Sequence, residues 1–181
     1  IQTIQLGIPV ARIELLDDVQ MDACIRYSKL DGYEAKPTLF FEFHGTQAGV
    51  AEQAGQMQAL VAEHGGGAFR WATAPEERTK LWKARHNAYY AGLALKPGSF
   101  GFATDACVPI SRLADCVLET RADVDATGLV CPIVGHVGDG NFHLVVLFDP
   151  NDPAGREKAE GLARRVSSCA IAMGGTCIGE H

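Results

Sequence analysis

The stretch LVCPIVGHVGDGNFHLVVLFD, residues 129–149, decides how this chain folds. Two apolar runs, LVCPIVGHV and NFHLVVLFD, flank the glycine-rich GDG. An Asp139-Gly140 pair between such runs signals a hairpin closed by a two-residue type I′ turn. That turn pairs Gly138 with Asn141, Val137 with Phe142 and His136 with His143. The two imidazoles then stand opposite each other on one sheet face, with Cβ atoms about 4.5–5.5 Å apart. At that spacing two neutral imidazoles are able to share one metal ion, each nitrogen about 2.0–2.1 Å from it. A third ligand must come from elsewhere, and a catalytic ion also keeps one position open. The alternative is a pair of half-buried histidines packed across the hairpin and bonded to backbone. Burying two imidazoles among Val, Ile, Leu and Phe is costly unless both are satisfied, which tilts the reading toward ligation.

Working outward, VARIELLDD (10–18) alternates as a strand and runs into DDVQMDACIRYSKL, whose acidic start suits a helix N-terminus. TLFFEFHG (38–45) is a second strand, with Glu42 and His44 on one face and Phe41 and Phe43 on the other. A helix over 47–64 stops at Gly65-Gly66-Gly67. AFRWAT (68–73) reads as a short strand, and Pro75 opens a long helix with Leu81, Ala84, Ala88 and Ala91 or Gly92 on one face. SFGFATDACVPI follows as a strand, then a helix opened by Ser111 and closed by Gly128, and a last helix over 153–173. Helices interleaved with strands around one tight hairpin predict an α+β fold. Its sheet is largely antiparallel and covered by helices, and ferredoxin-like halves are one arrangement of that order.

Composition narrows the function. The chain has 181 residues, 47% of them hydrophobic, which is enough for a substantial core. A net charge of −6 without a Lys/Arg cluster argues against nucleic acid as a partner. The six cysteines form no CxxC pair, and most lie inside apolar runs, so they read as reduced core residues in a reducing compartment. No apolar run approaches the roughly 20 residues of a membrane span. The location implied is cytoplasmic, or peripheral at an inner membrane face. GVAEQAG does not follow the GxGxxG nucleotide pattern. The first residue is Ile1 and the last is His181, directly after GGTCIGE, so both ends read as cut. In GGTCIGEH, Glu180 and His181 follow glycines that break the last helix. A carboxylate and an imidazole on such a loop are able to divide metal binding and proton transfer between them.

GHVGDGNFH, GGTCIGEH and TDACVPISRL together resemble the C-terminal domain of the FAD-linked oxidases. These include D-lactate dehydrogenase, the FAD subunit of glycolate oxidase and D-2-hydroxyglutarate dehydrogenase. The likeness extends from PVARIELLD through RWATAPEERTKLWKARHNAYYA, essentially over residues 1–181. It implies a cap domain, here truncated, that works beside a separate N-terminal FAD-binding domain absent from this sequence. It implies His136, His143 and Glu180 as ligands of a divalent zinc, manganese or iron ion that holds a 2-hydroxy acid. His181 corresponds to the histidine that takes the hydroxyl proton while hydride passes to flavin, and Arg85 to an arginine that binds the substrate carboxylate. Asp139 and Asn141 correspond to positions near the flavin ring. The electron acceptor implied is a cytochrome, a quinone or an electron-transfer flavoprotein.

Two departures bear on substrate and state. Where members acting on dicarboxylates carry a lysine and an asparagine, this chain has Ala103 and Val145. That favours a monocarboxylate, D-lactate or glycolate. The truncation leaves Glu180 and His181 without the glycine-containing loop that follows them in the family, and it predicts an exposed apolar face and self-association of the chain. His44 and His86 are further imidazoles near these motifs, each with an ordinary structural reading. The competing class is a non-catalytic α+β module for ligand binding or interaction.

Overall fold

The computed structural model describes every residue except Ala68 and the last three, 179–181. A short helix, α1 (Gln2–Gln5), leads into β1 (Arg12–Leu16), α2 (Asp18–Ser28), β2 (Thr38–Glu42) and α3 (Gln47–Glu63). Next come α4 (Pro75–His86), α5 (Ala88–Ala94), β3 (Phe100–Ala103) and β4 (Asp105–Cys107). A 3-10 turn at Ile110–Arg112 precedes α6 (Leu113–Thr127), β5 (Ile133–Gly135), β6 (Asn141–Phe148), α7 (Pro153–Ala172) and β7 (Thr176–Ile178). The strands form one antiparallel sheet in the order β2-β1-β5-β6-β4-β7, and β3 lies beside β6 in line with β4. This is the α+β class read from the sequence.

The central strand β6 divides the molecule because its side chains alternate between two covered faces. Phe142, Leu144, Val146 and Phe148 pack with Leu162 and Val166 of α7 and with Leu113, Cys116 and Val124 of α6 in one core. On the opposite face Leu16 and Val134 pack against Met21, Ala23 and Cys24 of α2 and against Ala88 and Ala91 of α5. A third cluster joins Met57 and Leu60 of α3 to Ile8, Phe41 and Phe43. Phe142 and Leu144 are completely buried. Each contributes roughly 1.5–3 kcal/mol of apolar burial.

The hairpin between β5 and β6 differs from the expected one. Ile133 faces Leu144 and Val134 faces His143, a register that leaves residues 137–140 as a four-residue loop and sets His136 across from Asn141. Only Gly140, at φ 80°, is left-handed, whereas a type I′ turn needs Asp139 there as well. Contacts on both sides impose the longer loop. Gly138 N donates to Ile13 O at 3.2 Å on the β1 side, and Val108 N donates to Gly140 O at 2.9 Å on the β4 side. A Cβ on Gly140 would lie 2.2 Å from the Val108 carbonyl oxygen. The displacement is two residues, and because the side-chain period is also two, both histidines keep the face expected of them.

Other expectations also shift. Residues 69–73 form no strand; side chains anchor them, with Phe69 stacked on Phe41 at 6.1 Å and Arg70 over the Tyr33 ring at 4.1 Å. The long helix is interrupted at Asn87, where ψ is 7°, and the Ala88 carbonyl accepts a 3.0 Å bond from buried Gln20 Nε2. Ser111 lies in the 3-10 turn and does not cap α6, while Gly128 at φ 70° does close it. Thr176–Ile178, read as loop, forms a strand that pairs with β4. The six cysteines are free thiols, with Cys116 and Cys169 Sγ atoms 3.8 Å apart. Burial pushes Cys131 up to about 11, and burial together with Cys116 and Glu119 pushes Cys169 up to about 12.

Asp17 joins the layers. Its backbone N donates to Ile133 O at 3.0 Å, its side chain caps α2 through Gln20 N at 2.7 Å, and Arg121 Nη1 lies 3.3 Å from the second oxygen. Burial outweighs these partners and pushes its carboxyl up to about 6. The unfolded chain releases the same proton near 4. Between those values the folded state therefore binds more protons, so Asp17 favours folding increasingly as pH falls from about 6 toward 4 and contributes nothing of this kind above 6. At about 1.4 kcal/mol per pKa unit, the effect is on the order of 3 kcal/mol. Urea titrations across pH 4–7 should show this slope in the native protein. Asp17→Asn should abolish it while keeping the cap; an unchanged slope would assign it to other groups.

Candidate active site at the sheet's central face

Two rows of side chains cross the sheet beneath α4 and α5. The β1–β5 register pairs Leu15 with Gly135, so its next step brings Glu14 beside His136, which faces Asn141 and then Cys107. The neighbouring row runs Leu16, Val134, His143 and Asp105. One end of this face is therefore polar while the floor behind it, Val134, Val145 and Leu147, is buried and apolar.

His136 and His143 lie side by side on this surface, ring centroids 5.8 Å apart and planes at 86°. That separation is close to what two imidazoles bonded to one ion require. Each ring is fixed through Nδ1. For His136 the partner is Glu14 Oε1 at 2.8 Å; for His143 it is the Thr104 carbonyl oxygen at 3.0 Å. Both acceptors call for a proton on Nδ1, which leaves the Nε2 lone pair of each neutral ring available. Among the described residues no protein group bonds either Nε2.

The Thr104 carbonyl is available because of a local exchange in the ladder. Leu144 N donates to Thr104 Oγ1 at 3.0 Å, while Thr104 N donates to Leu144 O at 2.9 Å. The hydroxyl thus replaces the carbonyl in the ladder and frees it for His143. The β3–β6 and β4–β6 registers are continuous across this point, so β3 and β4 form one line interrupted only in its hydrogen bonding. Asp105 completes that side. Its Oδ1 accepts from Asn141 Nδ2 at 2.6 Å and lies 3.6 Å from His143 Nδ1.

Arg85 reaches the same row from α4. Its Nε donates to Glu14 Oε2 at 3.0 Å; the side chains of Arg85 and Glu14 are only 12% and 5% exposed. Nη2 lies 2.8 Å from the same oxygen but is buried and, among the described residues, has no well-directed hydrogen bond. Asn141 is held by Asp105, and Asp139 sits exposed in the loop, its N donating to His136 O at 2.9 Å. Glu180 and His181 lie outside the described residues. Among the described residues no three His, Cys, Asp or Glu side chains converge on a metal site. His44 bonds Glu42 at 2.9 Å and His86 bonds the Trp82 carbonyl of its own helix at 2.6 Å, which gives both a structural place.

Glu14, Thr104 and Asp105 were not found by reading the sequence. The signal for Glu14 was present: a carboxylate between Ile13 and Leu15, followed by Leu16, calls for a partner if the strand is buried.

The family model for FAD linked oxidases, C-terminal domain, matches residues 1–181. The chain belongs to this family. It is 47% identical over its whole length to "Probable D-lactate dehydrogenase, mitochondrial" of Danio rerio, covering 36% of that protein. It is 41% identical, again over its whole length, to "D-lactate dehydrogenase [cytochrome], mitochondrial" of Arabidopsis thaliana, covering 32% of it. Against "Glycolate oxidase subunit GlcD" of Escherichia coli K12 identity is 29%, with 97% of this chain and 35% of the subunit covered. The chain thus spans about a third of the length of these relatives. The fold is also that of the 4-ethylphenol oxidase from Gulosibacter chungangensis, with a TM-score of 0.61 at 14% identity over 91% of this chain and 38% of the oxidase. Among the described residues no helix is long and apolar enough to cross a membrane.

Removing one partner from a buried ion pair costs on the order of 3–5 kcal/mol. Arg85→Leu should therefore destabilise the protein by several kcal/mol in urea unfolding, whereas Arg78→Leu, at an exposed position on the same helix, should stay within about 0.5 kcal/mol. Equal effects would show that the Glu14–Arg85 pair is not buried in solution.

Proposed function

We propose that this chain is the substrate- and metal-binding cap of a flavin-dependent dehydrogenase that oxidises a D-2-hydroxy acid to the 2-oxo acid. The observation that carries the reading is the histidine pair: two neighbouring rings on one face, each tied through Nδ1 and each with Nε2 left available. That donor set fits a divalent zinc, manganese or iron ion, with Glu180 as the third ligand. Such an ion, when bound, polarises the substrate hydroxyl and lowers its pKa. FAD, held mainly by a separate domain, supplies the hydride acceptor.

The chain's own groups then divide the remaining work. Arg85, whose Nη2 has no well-directed hydrogen bond among the described residues, binds the substrate carboxylate, a planar group that suits a guanidinium. His181 accepts the hydroxyl proton. Asn141 and Asp139 border the flavin ring. Ala103 and Val145 face each other across β3 and β6, two residues along β6 from His143. Their apolar surface offers nothing to a second carboxylate, which supports D-lactate or glycolate as substrate over a dicarboxylate.

In this reading electrons leave through a cytochrome, a quinone or an electron-transfer flavoprotein, from a protein located in the cytoplasm or peripherally at an inner membrane face. Exposed Tyr27, Tyr90 and Phe100 are candidates for self-association of the chain.

The test is oxidation of D-lactate, glycolate and D-2-hydroxyglutarate by the full-length protein with a dye acceptor, with and without chelator, alongside His143→Ala. Turnover of the monocarboxylates that chelator suppresses and the variant lacks supports the proposal. Turnover indifferent to both would make the histidines packing residues, and no turnover of any hydroxy acid would favour a binding module.

A further inference from the structure

We propose that Glu14 is a positioning residue that sets the tautomer of His136 and so decides whether that ring is a ligand. This rests on the assignment of His136 to the metal site. Glu14 uses both carboxylate oxygens: Oε1 lies 2.8 Å from His136 Nδ1, and Oε2 accepts from Arg85 Nε at 3.0 Å. Only 5% of its side chain is exposed, so water cannot easily take over either contact. A carboxylate that served only as counterion to Arg85 would not need to stand beside His136 in the sheet row, where the β1–β5 register fixes it. The guanidinium is a donor only, and it occupies one oxygen. The other oxygen is left to accept a hydrogen bond from His136 Nδ1–H, which holds the ring proton on Nδ1 and off Nε2.

The consequence is specific to the chemistry of the carboxylate. In Glu14→Gln the arginine claims the amide oxygen because it has nothing to accept with. The amide NH₂ then faces His136, and Nδ1 must become the acceptor. The ring proton moves to Nε2, the atom offered to the metal. His143 should be unaffected, since its Nδ1 is bonded to the Thr104 backbone carbonyl.

The experiment is ¹⁵N spectroscopy of histidine-labelled, metal-free full-length protein, followed by Zn²⁺ titration against a chromophoric chelator. In the native protein His136 should appear as the Nδ1–H tautomer. In Glu14→Gln it should change to Nε2–H, with His143 unchanged and Zn²⁺ affinity reduced about 10–100-fold, the usual effect of losing an outer partner. Should Glu14→Gln fail to fold around an unpaired arginine, Glu14→Leu with Arg85→Met removes both charges, and the same loss of Nδ1–H preference and of affinity is expected. A His136 tautomer and Zn²⁺ affinity unchanged in the folded variant would overturn the proposal and leave Glu14 a counterion. If the native protein binds no Zn²⁺, the metal reading fails, while the tautomer comparison still decides whether Glu14 orients the ring.

Discussion

Strand β6 is hydrogen-bonded along both edges, to β5 on one side and to β3 and β4 on the other. That double pairing fixes the sheet from its middle outward. Neither neighbour can slide by one residue without turning Phe142, Leu144 and Val146 out of the core shared with α6 and α7. The same constraint places Asn141 and His143 on the opposite face, beside His136, Asp105 and, through β1, Glu14. A site of polar groups drawn from β1, α4, β4, β5 and β6 is thereby held by the register of an apolar sheet.

A buried carboxylate is costly unless it is paired and hydrogen-bonded. Glu14 meets that requirement with two partners from different elements, His136 after β5 and Arg85 on α4. The arrangement links the groups proposed to bind metal and carboxylate through one anion. On the other side a threonine hydroxyl takes the place of a backbone carbonyl in the ladder, releasing that carbonyl to hold His143. The two histidines are thus fixed by different means, one by a side chain and one by the main chain. A single substitution at Glu14 is able to act on the first ring and leave the second in place.

The α+β class, the antiparallel sheet and the helices over 18–28, 47–63, 113–127 and 153–172 were legible in the sequence because periodicity and caps record local preferences directly. The hairpin turn was not. Asp139-Gly140 has the local chemistry of a type I′ turn, but Ile13 and Val108 bond the loop from strands distant in sequence, and those contacts override the local preference. The histidine pair survived the error because a shift of two residues preserves the face. Phe69 and Trp71 suggested a strand whose aromatic contacts are real but whose ladder is absent. Glu14 carried a local signal of burial that does not name its partners, and Asp105 was missed because its significance lies in pairing across strands far apart in the chain, which no local pattern contains. Thr104 holds His143 through a carbonyl that its own hydroxyl frees from the ladder, an exchange that the sequence does not announce.

His136 and His143 are proposed to hold one metal ion. The most direct measurement is metal analysis with X-ray absorption at the metal edge on the purified full-length protein. The expected result is about one divalent ion per chain with imidazole nitrogens at roughly 2.0–2.2 Å, and loss of that ion in His136→Ala. A protein that carries no metal, or an ion whose surroundings are unchanged in that variant, would contradict it.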